Sequence, residues 1–97
     1  MRLEWIFCAP EKTAEVLTII DRYGALYAGQ GLDSGRALRL ITPSAQLPEV
    51  IWQHDHDDTA SHELMQAKLA RATALQSWRA DVGALADNVQ TSTWEVE

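Results

Sequence analysis

The chain is poor in the residues on which several function classes depend. Its one cysteine, Cys8, excludes an intramolecular disulfide. Basic residues number 8 against 14 acidic ones, for a net charge of −6. Arg2, Lys12, Arg22, Arg36, Arg39, Lys68, Arg71 and Arg79 are scattered along the chain, and no basic run forms. A nucleic-acid surface needs clustered cations to release counterions from phosphate, so nucleic acid is not an expected partner. Anionic membrane surfaces are disfavoured on the same ground. No uninterrupted apolar run approaches the roughly 18 residues of a membrane span. The opening stretch carries Glu4 among its apolar residues and lacks the apolar core of a secretory leader, so the cytoplasm is the expected location. Gly-x-Ser-x-Gly, His-Glu-x-x-His, Cys-x-x-Cys and P-loop patterns are all missing. Common hydrolase, zinc-protease and nucleotide chemistries are therefore unsupported, and no cofactor is expected.

What is present fits one domain over residues 1–97, with an apolar share of 46% that argues against disorder. Arg2 to Cys8 reads as a strand with Leu3, Trp5 and Phe7 on one face and Arg2, Glu4, Ile6 and Cys8 on the other. Pro10 suits a first helical turn, and Val16, Leu17, Ile20 and Tyr23 form an apolar stripe that Gly24 is expected to end. Ala25 to Gly35 then reads as a flexible connector or lid. Its glycines at 29, 31 and 35 have the spacing G-x-G-x-x-x-G and follow a helix, whereas a dinucleotide fingerprint follows a strand.

Arg36 to Thr42 and Leu47 to His56 read as a hairpin of strands around the Pro43 turn. Leu64, Met65, Leu69, Ala72, Leu75, Trp78, Val82 and Leu85 keep a helical rhythm, capped near Asp57, Asp58 or Thr59 and broken near Gly83. Val89 to Val96 alternates as a last strand. The order β-α-β-β-α-β predicts an α+β, ferredoxin-like sandwich with two helices on one sheet face. Apolar residues left on the other face predict a homodimer.

This element order resembles the dimeric α+β barrel superfamily, most of all its NIPSNAP-like and antibiotic-biosynthesis monooxygenase-like members. The resemblance is most specific at Glu49-Val-Ile-Trp52 leading into an acidic turn, at Leu75-Gln-Ser-Trp78, and at the final Trp94-Glu-Val96. It implies two sheets facing each other around a cavity for a small, often aromatic molecule. It also implies chemistry of the cofactor-independent oxygenase, cyclase or isomerase type. No catalytic motif of the family transfers residue by residue.

Three histidines crowd into nine residues: His54, His56 and His62. On a strand, His54 and His56 share a face with Trp52, about 7 Å apart. They are candidates for acid–base catalysis, since imidazole titrates near neutral pH. With His62 they form a weaker candidate metal site. The blander alternative is the solvated end of a strand running into a helix cap. Trp5 and Trp52 are candidate stacking surfaces for a flat apolar or aromatic ligand, with core or interface packing as the alternative. Trp78 falls on the apolar helical stripe and reads as core. Arg39 is a candidate anchor for an anionic group, and Glu4 becomes a candidate base if its strand is buried. Cys8 reads as a buried structural thiol. Ranked by these features, a cofactor-independent enzyme on a small aromatic or polyketide-like molecule stands first. A non-enzymatic binding protein of the same architecture stands second, and a metal-dependent site third.

Overall fold

In a computed structural model of the chain, residues 1–42, 44–55, 59–71 and 73–95 are described, with the side chains at 59–62 and 73 left aside. Strand β1 runs Arg2–Cys8, a 3₁₀ turn follows at Pro10–Lys12, and helix α1 covers Thr13–Gly29. Strands β2 (Arg36–Arg39) and β3 (Val50–His54) form the hairpin. Helices α2 (Thr59–Arg71), α3 (Thr73–Gln76) and α4 (Trp78–Gly83) precede strand β4 (Ala86–Thr93).

The four strands make one antiparallel sheet in the order β2-β3-β1-β4, compatible with a ferredoxin-like α+β fold. The helices lie on one side only. The extents of 36 × 33 × 17 Å are those of a two-layer slab, and no described residues form a layer over the second sheet face.

Register decides which side chains meet the helices. Glu4 pairs with Trp52, Ile6 with Val50 and Arg2 with His54, and on β4 Glu4 pairs with Thr91 and Ile6 with Val89. Directly paired residues share a face. The covered face is therefore the mixed one, with Glu4, Ile6, Cys8, Val50, Trp52 and His54 all buried. Leu3, Trp5 and Phe7, the wholly apolar row of β1, lie half-buried on the open face. A bulge between Phe7 and Cys8 bends β1 where it meets the start of β4.

Helix α1 buries Thr13, Val16, Ile20, Tyr23 and Tyr27, a 3-4-3-4 spacing that keeps one stripe on the sheet. It runs past Gly24, which does not terminate it. A β-carbon there would sit 3.1 Å from the Ser34 carbonyl oxygen, so glycine lets the following loop pass close to the helix.

Both hairpin strands are shorter than the alternation suggests. Pro48 has no N–H to give to the ladder, and regular pairing begins beyond it at Val50. One further bond, Leu40 N–H to the Glu49 carbonyl at 2.9 Å, closes the hairpin, and Ile41 projects into solvent. The last strand starts earlier than expected, at Ala86. The long helix is interrupted at Ser77, ahead of Gly83. There the backbone N–H of Ala80 and of Asp81 both bond the Ser77 carbonyl, and Trp78 turns down onto Trp52 with rings 5.3 Å apart, edge to face.

Candidate functional site

The residues singled out from the sequence fall on two sides of the sheet. Trp52 and His54 stand two apart on β3 and both point under the helices. Trp52 is 0% exposed and His54 1%. Trp5 occupies the opposite face, paired with Ile51 and Gln90. Arg39 pairs with Val50 on the short outer strand β2, shares the parity of Trp52, and is exposed. No single cavity between two sheets can be lined by both Trp5 and the Trp52–His54 pair. His56 and the side chain of His62 lie outside the described residues, so the catalytic pair and the metal triad have no geometry to state.

His54 is neither at the wet end of a strand nor in an open cleft. Its ring stacks on Tyr27 at 5.2 Å and 24° and meets Trp52 at 4.4 Å. Its Nδ1 lies 3.1 Å from the carbonyl oxygen of Asp33. A carbonyl only accepts, so Nδ1 carries the proton in this contact. Trp52 donates its indole N–H to the carbonyl of Ser34 at 3.0 Å.

The segment Asp33-Ser34-Gly35 thus satisfies two buried polar groups of β3. The Asp33 carboxylate adds bonds from the backbone N–H of Gly35 at 3.1 Å and of Asp55 at 2.9 Å. This segment was expected as a flexible connector or lid and is instead clamped. Gly35 adopts φ +73°, and a β-carbon there would come within 2.6 Å of the Trp52 Nε1 and of the Gln53 carbonyl oxygen. Beside the clamp a groove of about 480 Å³ separates α1 from β2, bordered by Ile20, Gly24, Arg36 and Trp52.

A second polar centre lies on the same face, one strand over. Glu4 is 2% exposed, and both of its carboxylate oxygens are taken. Oε1 accepts from Arg2 Nε at 2.8 Å, and Oε2 accepts from Arg79 Nη2 at 3.1 Å and from the Thr91 hydroxyl at 2.6 Å. Arg79 also donates to that hydroxyl, and its guanidinium lies 5.2 Å from the centre of the Trp78 ring. Glu4 therefore holds two cations in place, a use different from the general base considered above. Beyond Arg2 and Arg79 opens a cavity of about 290 Å³, also lined by Tyr27, Gln66, Gln76 and Trp78.

Sequence reasoning placed Arg2 and Glu4 on one face but did not join them. Their i, i+2 spacing with opposite charge was the available signal. Arg79 gave none, because its position depends on the break at Ser77.

Burial pushes the Cys8 thiol above its ordinary value of 9.0, with a hydrogen bond to Thr13 opposing, so the sulfur is held as a poor nucleophile. Tyr27 is also raised, chiefly by burial. Tyr23 is raised first by donating its hydroxyl proton to Asp81, at 2.6 Å, and then by burial. Among the described residues no group of three or more histidine, cysteine or carboxylate side chains is placed to hold a metal ion. No described helix is long and apolar enough to cross a membrane.

The open face has its own order. Ser92 Oγ receives the indole N–H of Trp5 at 2.6 Å and that of Trp94 at 2.7 Å, so one hydroxyl anchors two exposed or half-exposed indoles. Leu3, Phe7, Ile51 and Leu38 share the face by register, as do Arg36, Gln53, Asn88 and Gln90.

Compared with known proteins, the chain matches no protein-family model and no curated sequence.

Proposed function

We propose that two copies of the chain pair through the open faces of their sheets and enclose a small, flat, apolar or aromatic molecule, which they bind without transforming it. One observation carries this reading. The face without a helix layer holds the entire apolar row of β1, together with Ile51, Leu38 and the two indoles fixed by Ser92. Aromatic and aliphatic surface at the centre with amides and hydroxyls at its side is the composition of an interface core with a polar rim. The element order of the dimeric α+β barrels supports the same arrangement.

Binding is favoured over acid–base catalysis because no histidine, cysteine or carboxylate occupies a described paired position of this face. The indole N–H groups are already engaged by Ser92. They supply flat surface more than orientation; Gln53 already donates its amide to Asp55 at 3.0 Å, which leaves Asn88 and Gln90 as amides to orient a ligand.

Sedimentation velocity tests the pairing, with a dimer expected for the native chain and a monomer for Trp5→Glu. A titration with 1-naphthol, followed at the indole N–H resonances, is expected to move Trp5 and Trp94 and to leave Trp52 in place. A native chain that stays monomeric at every concentration overturns the proposal.

A further inference from the structure

The cavity bounded by Arg2 and Arg79 lies on the helix side of the sheet and is formed by one chain, so it stands or falls apart from any pairing of sheets. We infer that this cavity is a binding site for a small planar monocarboxylate.

Charge is the first reason. Among the described residues the two guanidinium groups face one carboxylate, Glu4, so this centre carries an excess of one positive charge, shared between the largely buried Arg2 and the half-exposed Arg79. Both arginines line the cavity and Glu4 does not. A single negative charge balances the centre, whereas a dianion such as phosphate overshoots it and leaves a buried negative excess.

The second reason is an unmade bond. Arg2 gives its Nε proton to Glu4, but its Nη1 is buried and has no partner among the described residues. Buried polar groups are nearly always satisfied, and a charged donor left without an acceptor is costlier than a neutral one. Because Nη1 is itself buried, an acceptor in the cavity meets it only when the Arg2 side chain, which lines that cavity, turns toward the opening. Guanidinium suits a carboxylate in particular, because its planar fork matches two oxygens.

Size and lining select the rest of the ligand. At about 290 Å³ the cavity is at the lower end of small-molecule sites, which run from roughly 300 Å³ upward. The rings of Tyr27 and Trp78 and the side chains of Leu69 and Ala70 give it apolar walls. Gln66 and Gln76 stand at the polar side. A one-ring acid fits this description, and an extended or multiply charged metabolite does not.

The test is an NMR titration of the full chain with benzoate, using benzamide as the neutral counterpart of the same shape and inorganic phosphate as the dianion. Benzoate is expected to shift the Arg2 Nε–H and Trp78 indole N–H resonances saturably and to bind about ten-fold or more tightly than benzamide. Arg2→Gln is expected to lose this preference. Because that substitution also disturbs Glu4, Gln66→Glu is the companion: it changes only an exposed side chain of α2 and is expected to weaken benzoate at least as much while leaving the melting temperature in place. Equal affinity for benzamide, tighter binding of phosphate, an unchanged benzoate affinity in Gln66→Glu, or no saturable shift up to the solubility of benzoate each overturns the inference.

Discussion

The two faces of the single sheet invert the usual division of labour. The face under the helices carries a glutamate, an arginine and a histidine among its buried or half-buried positions, while the uncovered face carries Leu3, Trp5 and Phe7. Polarity alone would have assigned the layers the other way round. The covered face tolerates its polar groups because most of their hydrogen bonds are made: Glu4 to three donors, Trp52 and His54 to the Asp33–Ser34 backbone. Burial on that side is specified by networks, in which each member depends on another. On the open side it is left to whatever second surface arrives.

The most forceful way to break this contrast is to truncate one tryptophan on each face. Trp52→Ala removes a fully buried ring and is expected to cost about 4 kcal/mol in urea unfolding. Trp5→Ala, measured at protein concentrations low enough to hold a monomer, is expected to cost about 1 kcal/mol, because its ring is half-exposed there. Equal costs in the monomer would erase the distinction between the faces.

Glu4→Gln comes next. It leaves the largely buried Arg2 without its counter-charge and the half-exposed Arg79 without its carboxylate partner, and a loss of about 3 kcal/mol is expected. The same unfolding measurement reads it, and a change below about 1 kcal/mol would mean that the centre contributes no more than a surface ion pair.

Gly35→Ala probes the clamp. It forces a side chain into a positive φ and into contact with Trp52 and the Gln53 carbonyl, and is expected to cost about 2 kcal/mol. A melting temperature equal to the native one would show that the clamp gives way freely.

The smallest effect sharpens the comparison by pH. Cys8, Tyr23 and Tyr27 all belong to the covered side, and all three are raised above their ordinary values of 9.0 and 10.0. A raised value means that the folded state holds the proton more tightly. The associated stability is complete below the ordinary values and is lost as pH rises through the folded ones. Melting temperature is therefore expected to fall on going from neutral pH to above pH 10. In Tyr27→Phe that fall should be smaller.

Much of this architecture was legible in the alternation of residues. The parities within β1 and within β3 are as read, with Leu3, Trp5 and Phe7 in one row of β1 and Trp52 and His54 together on β3. So is the helical stripe through Val16, Ile20 and Tyr23. But Trp5 and Trp52, taken as walls of one cavity, fall on opposite faces. What alternation could not supply is which row the helices cover, since a period of two marks two faces without ranking them.

Glycine misled where its backbone freedom was taken as a stop signal. At Gly24 the missing side chain serves the passage of Ser34, and Tyr27, one turn beyond, was lost from the expected core as a result. The Glu4 centre needed three separate pieces of chain, β1, α4 and β4, to come together. Sequence spacing reports one of those juxtapositions, Arg2 with Glu4, and is silent on Arg79 and Thr91. Crowding of histidines drew attention to His54, but its ring fills core volume between Tyr27 and Trp52.

The Asp33 carboxylate has a practical corollary. One side chain grips the backbone at both the start of β2 and the end of β3, so a short outer strand with few ladder bonds of its own is locked in phase by its lead-in. Lengthening the chain between Gln30 and Gly35 would uncouple the two strands. The turn around Ser44 to Leu47, solvent-facing and tied locally by the Ser44 hydroxyl to the Gln46 N–H, is the place where a tag or a grafted peptide can be spliced without that penalty.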